Sequence, residues 1–163
     1  MTTSTRLERS FVITRRLPAT TDRVFAAWTE PAQLDRWFAH LPPAVPTTVD
    51  LRVGGCWQLE MVETPQRRYL TGGTYREIDA PGRLVFSWGV TGGWPEFDPE
   101  RPDDVPLVTV DLSPAGAETD MRVTMSLAKD MSDDDVRHWF DLGIKGGMTQ
   151  TVDRILLLFA DQE

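Results

Sequence analysis

The chain has 163 residues, 40% of them hydrophobic and 26% charged, with 25 Asp and Glu against 17 Lys and Arg for a formal net charge of -8. Such a length suits one domain with a substantial core, and the apolar share excludes disorder for most of the chain. The acidic balance excludes non-specific nucleic-acid binding, which needs clustered cations to displace counterions, and Arg15–Arg16 and Arg67–Arg68 are only isolated pairs.

The single Cys56 leaves no intrachain disulfide, and His40 with His138 makes no zinc-ligand pattern. The longest wholly apolar run, residues 155–160, is too short to span a bilayer. The first ten residues, MTTSTRLERS, carry no apolar signal-peptide core. The expectation is a cytoplasmic single domain over 1–163 with its core at about 10–160, holding no metal and no cofactor.

In chain order, Phe11, Ile13 and Leu17 alternate as a strand that Pro18 ends. Thr20, Thr21 and Asp22 offer N-cap oxygens for a short helix carrying Val24, Phe25 and Trp28. Pro31 then opens a second helix with Leu34, Trp37 and Phe38, because proline fits a first turn without losing a needed N–H. Residues 40–46 hold three prolines and read as irregular.

From residue 47 the apolar period changes to two. Val49, Leu51 and Val53 predict one strand, and Trp57, Leu59 and Met61 the next after the Gly54–Gly55 turn. Residues 68–78 predict a third, with a bulge or sharp bend at Gly72–Gly73. Leu84, Phe86 and Trp88 follow, then Val108, Val110 and Leu112, then Met121, Val123, Met125 and Leu127. Between them lies 92–106, with four prolines and five carboxylates, either a lid or a plain insertion.

Ser132 and Asp133 to Asp135 form an N-cap and an acidic first turn. Val136, Trp139, Phe140, Ile144, Met148, Val152, Ile155 and Phe159 then recur at helical spacing, predicting one amphipathic helix of about seven turns to the chain end. Gly143, Gly146 and Gly147 inside it, each costing about 1 kcal/mol relative to alanine, point to close approach of another element or to room for a ligand.

Strand, two short helices, about six or seven antiparallel strands and a long C-terminal helix predict an α+β domain. A curved sheet wrapped around the last helix buries both apolar faces at once. The segments VFAAWTEPAQLDRWFA (24–39), DLRVGGCWQLEM (50–61), GGTYREIDAPGRLVFSWG (72–89) and VTVDLSPAGAETDMRVTMSL (108–127) resemble the activator-of-heat-shock-protein-90-ATPase-like family. That family belongs to the START/birch-pollen-allergen-like (SRPBCC) superfamily, and the resemblance runs over roughly residues 10–160. It implies a helix-grip fold with a deep, mostly apolar cavity between the sheet and the C-terminal helix. Relatives range over lipid and hormone binders, polyketide cyclases and a co-chaperone domain, so the fold alone does not choose an activity.

The cavity-lining candidates are Trp57, Leu59, Met61, Tyr75, Phe86, Trp88, Met125, Trp139, Phe140, Ile144 and Met148, which would equally serve a filled core. Trp28, Trp37 and Phe38 either close the cavity mouth or pack the short helices onto the sheet. His138 and Asp141 lie three apart on the last helix, but on its polar side, with Lys145 and Thr149. Glu60, Arg76 and Asp111 would reach the cavity only if a bulge shifted the strand register. The carboxylates of 92–106 lack calcium-loop spacing, and Cys56 shows no activating neighbour. No nucleophile elbow, metalloprotease, P-loop or dinucleotide motif is present. The reading is a non-catalytic binder of a small hydrophobic molecule, with a second copy of the chain as a further candidate partner. The alternatives are a cyclase-like or aromatase-like enzyme and a co-chaperone-like interaction domain.

Overall fold

β1 (Ser10–Leu17) enters as alternation requires, burying Phe11, Ile13 and Leu17. The structure is a computed structural model that describes residues 10–38, 44–90, 106–127, 132–141 and 143–160. The side chains of Glu63, Val90, Trp139, Ile144 and Ala160 lie outside that description. Two short helices follow, α1 (Thr21–Thr29) and α2 (Pro31–Trp37), the second starting at its proline. Then come β2 (Thr48–Val49), β3 (Cys56–Thr64), β4 (Arg67–Asp79), β5 (Arg83–Ser87), β6 (Gly89–Val90), β7 (Leu107–Ala115) and β8 (Glu118–Ser126). Two helices, α3 (Asp133–Asp141) and α4 (Ile144–Ala160), complete the described order.

The sheet is antiparallel, ordered β1-β8-β7-β5-β4-β3-β2, with short β6 paired to β4. Its registers carry Phe11, Met125, Val108, Phe86 and Tyr75 in one cross-strand row. Ile13, Val123, Val110 and Leu84 make a parallel row on the same face. Because side chains alternate across a strand, the other rows face outward and carry the charged residues, together with Val12 and Val85. There Arg83 meets Asp111 at 2.9 Å and Glu77 at 3.1 Å.

The inner rows and the buried positions of α1, α2 and α4 form one apolar cluster. In α4, Met148, Val152, Ile155 and Phe159 supply its buried stripe. α4 is tied at two places. Arg15 Nε donates to Asp153 Oδ1 at 2.7 Å, and Arg154 donates to the carbonyls of Trp37 and Phe38 at 2.9 Å each. The second tie puts a cation at the C-terminal end of α2, where the orphan carbonyls carry negative partial charge.

Four expectations are corrected. The long C-terminal helix is two helices, broken at Gly143, whose φ of +87° lies in the left-handed region that glycine reaches without strain. Gly146 and Gly147 face open space, since a Cβ built there meets nothing within 4 Å, so neither close approach nor an enclosed ligand explains them. Leu51 and Val53 do not extend a strand. Backbone bonds from Arg52 N to Asp50 O and Gly55 N to Arg52 O fold them into a tight reversal, leaving them 44% and 65% exposed.

Gly72 and Gly73 keep unbroken register with β3, and the irregularity in β4 falls instead between Tyr75 and Glu77 against β5. The glycines answer to crowding. A Cβ on Gly73 would fall 1.7 Å from Ser87 O, and one on Gly72 would fall 2.4 Å from Trp57 O.

Candidate aromatic pocket under the first two helices

Trp57 on β3 stands opposite Gly73, which has no side chain to meet it. Its indole therefore reaches Phe86 on β5, at 5.4 Å between ring centres and 84° between planes. Its Nε1–H donates to Ser87 O at 3.2 Å. From α1, Trp28 lies against Phe86 at 6.1 Å and donates from Nε1 to Met121 Sδ at 3.4 Å. Trp28 also meets Trp37 edge-on at 4.7 Å, and Trp37 donates from Nε1 to Ala27 O at 2.7 Å. Phe38 closes the circuit, 5.3 Å from Trp37 and 5.9 Å from Trp57.

Five rings thus run Trp28, Trp37, Phe38, Trp57, Phe86 and back to Trp28, mostly edge-to-face. That geometry satisfies ring quadrupoles but packs flat plates at steep angles, so it leaves gaps. A pocket lies within this group, lined by Trp28, Leu34, Phe38, Trp57, Tyr75 and Phe86. Its volume is about 10 Å³, roughly what one water needs and far below a drug-sized site.

Tyr75, only 2% exposed, extends the row beyond Phe86 at 6.4 Å. Burial pushes its phenol well above the ordinary 10.0, so the hydroxyl stays protonated. Among the described residues no group hydrogen-bonds this hydroxyl.

Of the residues expected at a cavity, Trp57, Tyr75 and Phe86 meet in this pocket. Leu59, Met61, Met125 and Met148 are buried in the common cluster, and Trp88 and Phe140 pack partly buried against it. Phe140 of α3 meets Phe11 of β1 at 6.1 Å, at the far end of the same inner row. The side chains of Trp139 and Ile144 are outside the described residues, as are His40 and residues 91–105 of the acidic segment. Among the described residues, no side chain of α4 lines the pocket. Leu34 was missing from the expected lining, and Trp28 and Phe38 were expected either at the cavity mouth or packing the short helices onto the sheet. The signal for them was their apolar spacing on two helices, which does not say which strands those helices cross.

The charged strand candidates sit elsewhere. Glu60 alternates with Leu59 and Met61, is buried, and accepts from Ala44 N–H at 2.7 Å and from Arg68 at 3.3 Å. Asp111 pairs with Arg83, and Arg76 is half-buried at the register shift. None of the three lines the pocket. His138 and Asp141 are exposed, as is the free Cys56. Among the described residues no cluster of His, Cys, Asp or Glu could hold a metal ion, and no helix is long and apolar enough to cross a membrane.

Residues 18–160 match the family model described as Activator of Hsp90 ATPase homolog 1-like protein. The chain belongs to that family. No curated protein matches it significantly. Solved structures similar to this family member include a protein from Arthrobacter aurescens, determined in solution by NMR, at 26% identity and a TM-score of 0.76, covering 94% of this chain and 87% of that one. Protein Ms6760 from Mycobacterium smegmatis has 21% identity and a TM-score of 0.74, with 95% and 93% covered. A Rhodobacter sphaeroides protein has 18% identity and the same TM-score of 0.74, with 95% of each chain covered. These likenesses show a helix-grip, SRPBCC-like fold.

Proposed function

We propose that this family member binds a small hydrophobic molecule between the inner face of its sheet and the helices packed on it. The observation that carries the reading is the aromatic pocket under α1 and α2. Six side chains of apolar or aromatic character converge there, while Glu60, Arg76 and Asp111, the charged groups an acid–base enzyme would recruit, lie outside its lining. At about 10 Å³ the pocket holds no more than a water, so this reading requires the bound state to be a wider one selected by the ligand.

Native mass spectrometry of the purified protein, followed by extraction of any passenger, tests the reading. A stoichiometric hydrophobic passenger, or saturable uptake of an apolar fluorescent probe that quenches the pocket tryptophans, is expected. Protein that is empty and takes up no probe would end it and favour the protein-interaction alternative.

A further inference from the structure

The six side chains lining the pocket contain only three polar atoms: Trp28 Nε1, Trp57 Nε1 and Tyr75 Oη. Indole nitrogens donate one hydrogen bond each, and both are already committed, Trp28 to Met121 Sδ and Trp57 to Ser87 O. Tyr75 Oη has no hydrogen-bond partner among the described residues, and its residue is almost wholly buried, so it is the one lining polar atom left for a ligand. Among the described residues no charged side chain lines the pocket, so an ionised ligand would lose its hydration without compensation from them.

We infer that the pocket selects a neutral, flat apolar molecule bearing one carbonyl-type acceptor, oriented by a hydrogen bond from Tyr75 Oη–H to that oxygen. This rests on the proposed binding function and adds the ligand's chemical class. A phenol donates more strongly than it accepts, and burial keeps this one protonated. The surrounding ring edges and faces suit an aromatic or conjugated body, since offset and edge-to-face contacts are the favoured ones. Tyr75 is thereby a specificity residue rather than an acid or a base. Proton transfer would require its pKa near the working pH, and burial moves it the other way.

The test uses two neutral probes of the same shape, acetylnaphthalene and isopropenylnaphthalene, which differ in a carbonyl oxygen against a methylene. Dissociation constants are read from quenching of tryptophan fluorescence in the wild-type chain and in Tyr75→Phe. The ketone-to-hydrocarbon affinity ratio of the wild type is divided by that of the variant, so that the probes' unequal water solubilities cancel. A quotient of about ten is expected, the size of one buried hydrogen bond. Saturable hydrocarbon binding by Tyr75→Phe shows that the variant is folded, and its affinity should be equal to or above that of the wild type. The bound ketone's infrared carbonyl stretch should lie at lower frequency in the wild type than in Tyr75→Phe. A quotient near one with both probes bound overturns the Tyr75 assignment and leaves hydrophobic binding standing. Failure of both probes to bind overturns the binding function itself, and this assignment with it.

Discussion

The two halves of the sheet bury apolar surface in different ways. Around β1, β8 and β7 the inner face is mostly aliphatic, with Ile13, Val108, Val110, Met121, Val123 and Met125 all buried. Branched and flexible side chains interdigitate to crystal-like density in ordinary rotamers. Around β3 and β5, where Trp28, Trp37 and Phe38 reach in from the first two helices, the same face is built from rings meeting at steep angles. Rings bury more area per residue but deform less, so their packing defects persist. The pocket is in the second half, and its place follows from the kind of side chain rather than from the amount of apolar surface.

The largest effect expected on this comparison is at Gly73, where the aromatic half needs the β4 backbone against Ser87. Gly73→Ala puts a Cβ where only 1.7 Å separates it from a backbone oxygen, and relief requires parting β4 from β5. Urea unfolding should show a loss of more than about 4 kcal/mol. A loss below about 1 kcal/mol would mean that the strands do not approach as described.

Trp57→Ala and Met125→Ala set the halves directly against each other. Removing the indole should cost about 3–5 kcal/mol and removing the thioether about 2–5 kcal/mol, so stability alone does not separate them. Uptake of an apolar probe does. It should rise in Trp57→Ala, which widens the pocket, and stay level in Met125→Ala if the aliphatic half collapses around the loss. Equal rises would show that the two halves form one continuous cavity.

A smaller effect is expected from Arg154, the tie between α4 and the end of α2. Arg154→Met keeps much of the stem but loses both carbonyl bonds, which should cost about 1–2 kcal/mol. By loosening α2 it should also speed probe entry, as read by stopped-flow quenching. Unchanged entry would place the opening elsewhere.

The smallest effect concerns the aliphatic half's exposed rim. The hydrogen bond from Arg16, at 2.8 Å, holds the Asp120 carboxyl below its ordinary value of 3.8. A carboxyl whose folded pKa is depressed contributes stability above its unfolded pKa and loses it as pH falls through the folded one. Acid unfolding should therefore begin at slightly higher pH in Arg16→Gln, with no difference near neutrality beyond the small contribution of an exposed pair. A difference that grew above neutral pH would contradict the assignment.

Much of the architecture was readable before any coordinates. Period-two runs such as Leu84, Phe86 and Val108, Val110 placed inner faces correctly, because a strand with one buried face has no other register available. Pro31 and Ser132 marked helix starts for local reasons, and Asp135 N does donate to Ser132 Oγ at 3.1 Å. Trp57 and Phe86 followed from strand alternation as inner-face positions, while their expected place at a cavity came from the family resemblance.

Other features lay beyond that reading. Apolar spacing continues from Phe140 through Ile144 to Met148, so nothing in the period announces the break that the left-handed conformation of Gly143 makes. Leu51 and Val53 alternate like core residues, yet a local reversal bonded through Asp50 and Arg52 turns them to solvent. The sequence by itself determined which residues have apolar faces and where local caps and breakers stand, because those depend on neighbours within a turn or two. Only the tertiary structure decided that α1 packs on β7 and β8 and α2 on α4, bringing Trp28, Leu34 and Phe38 together with Trp57, Tyr75 and Phe86. That choice rests on contacts between residues far apart in the chain, whose fit depends on ring shape and not on hydrophobicity.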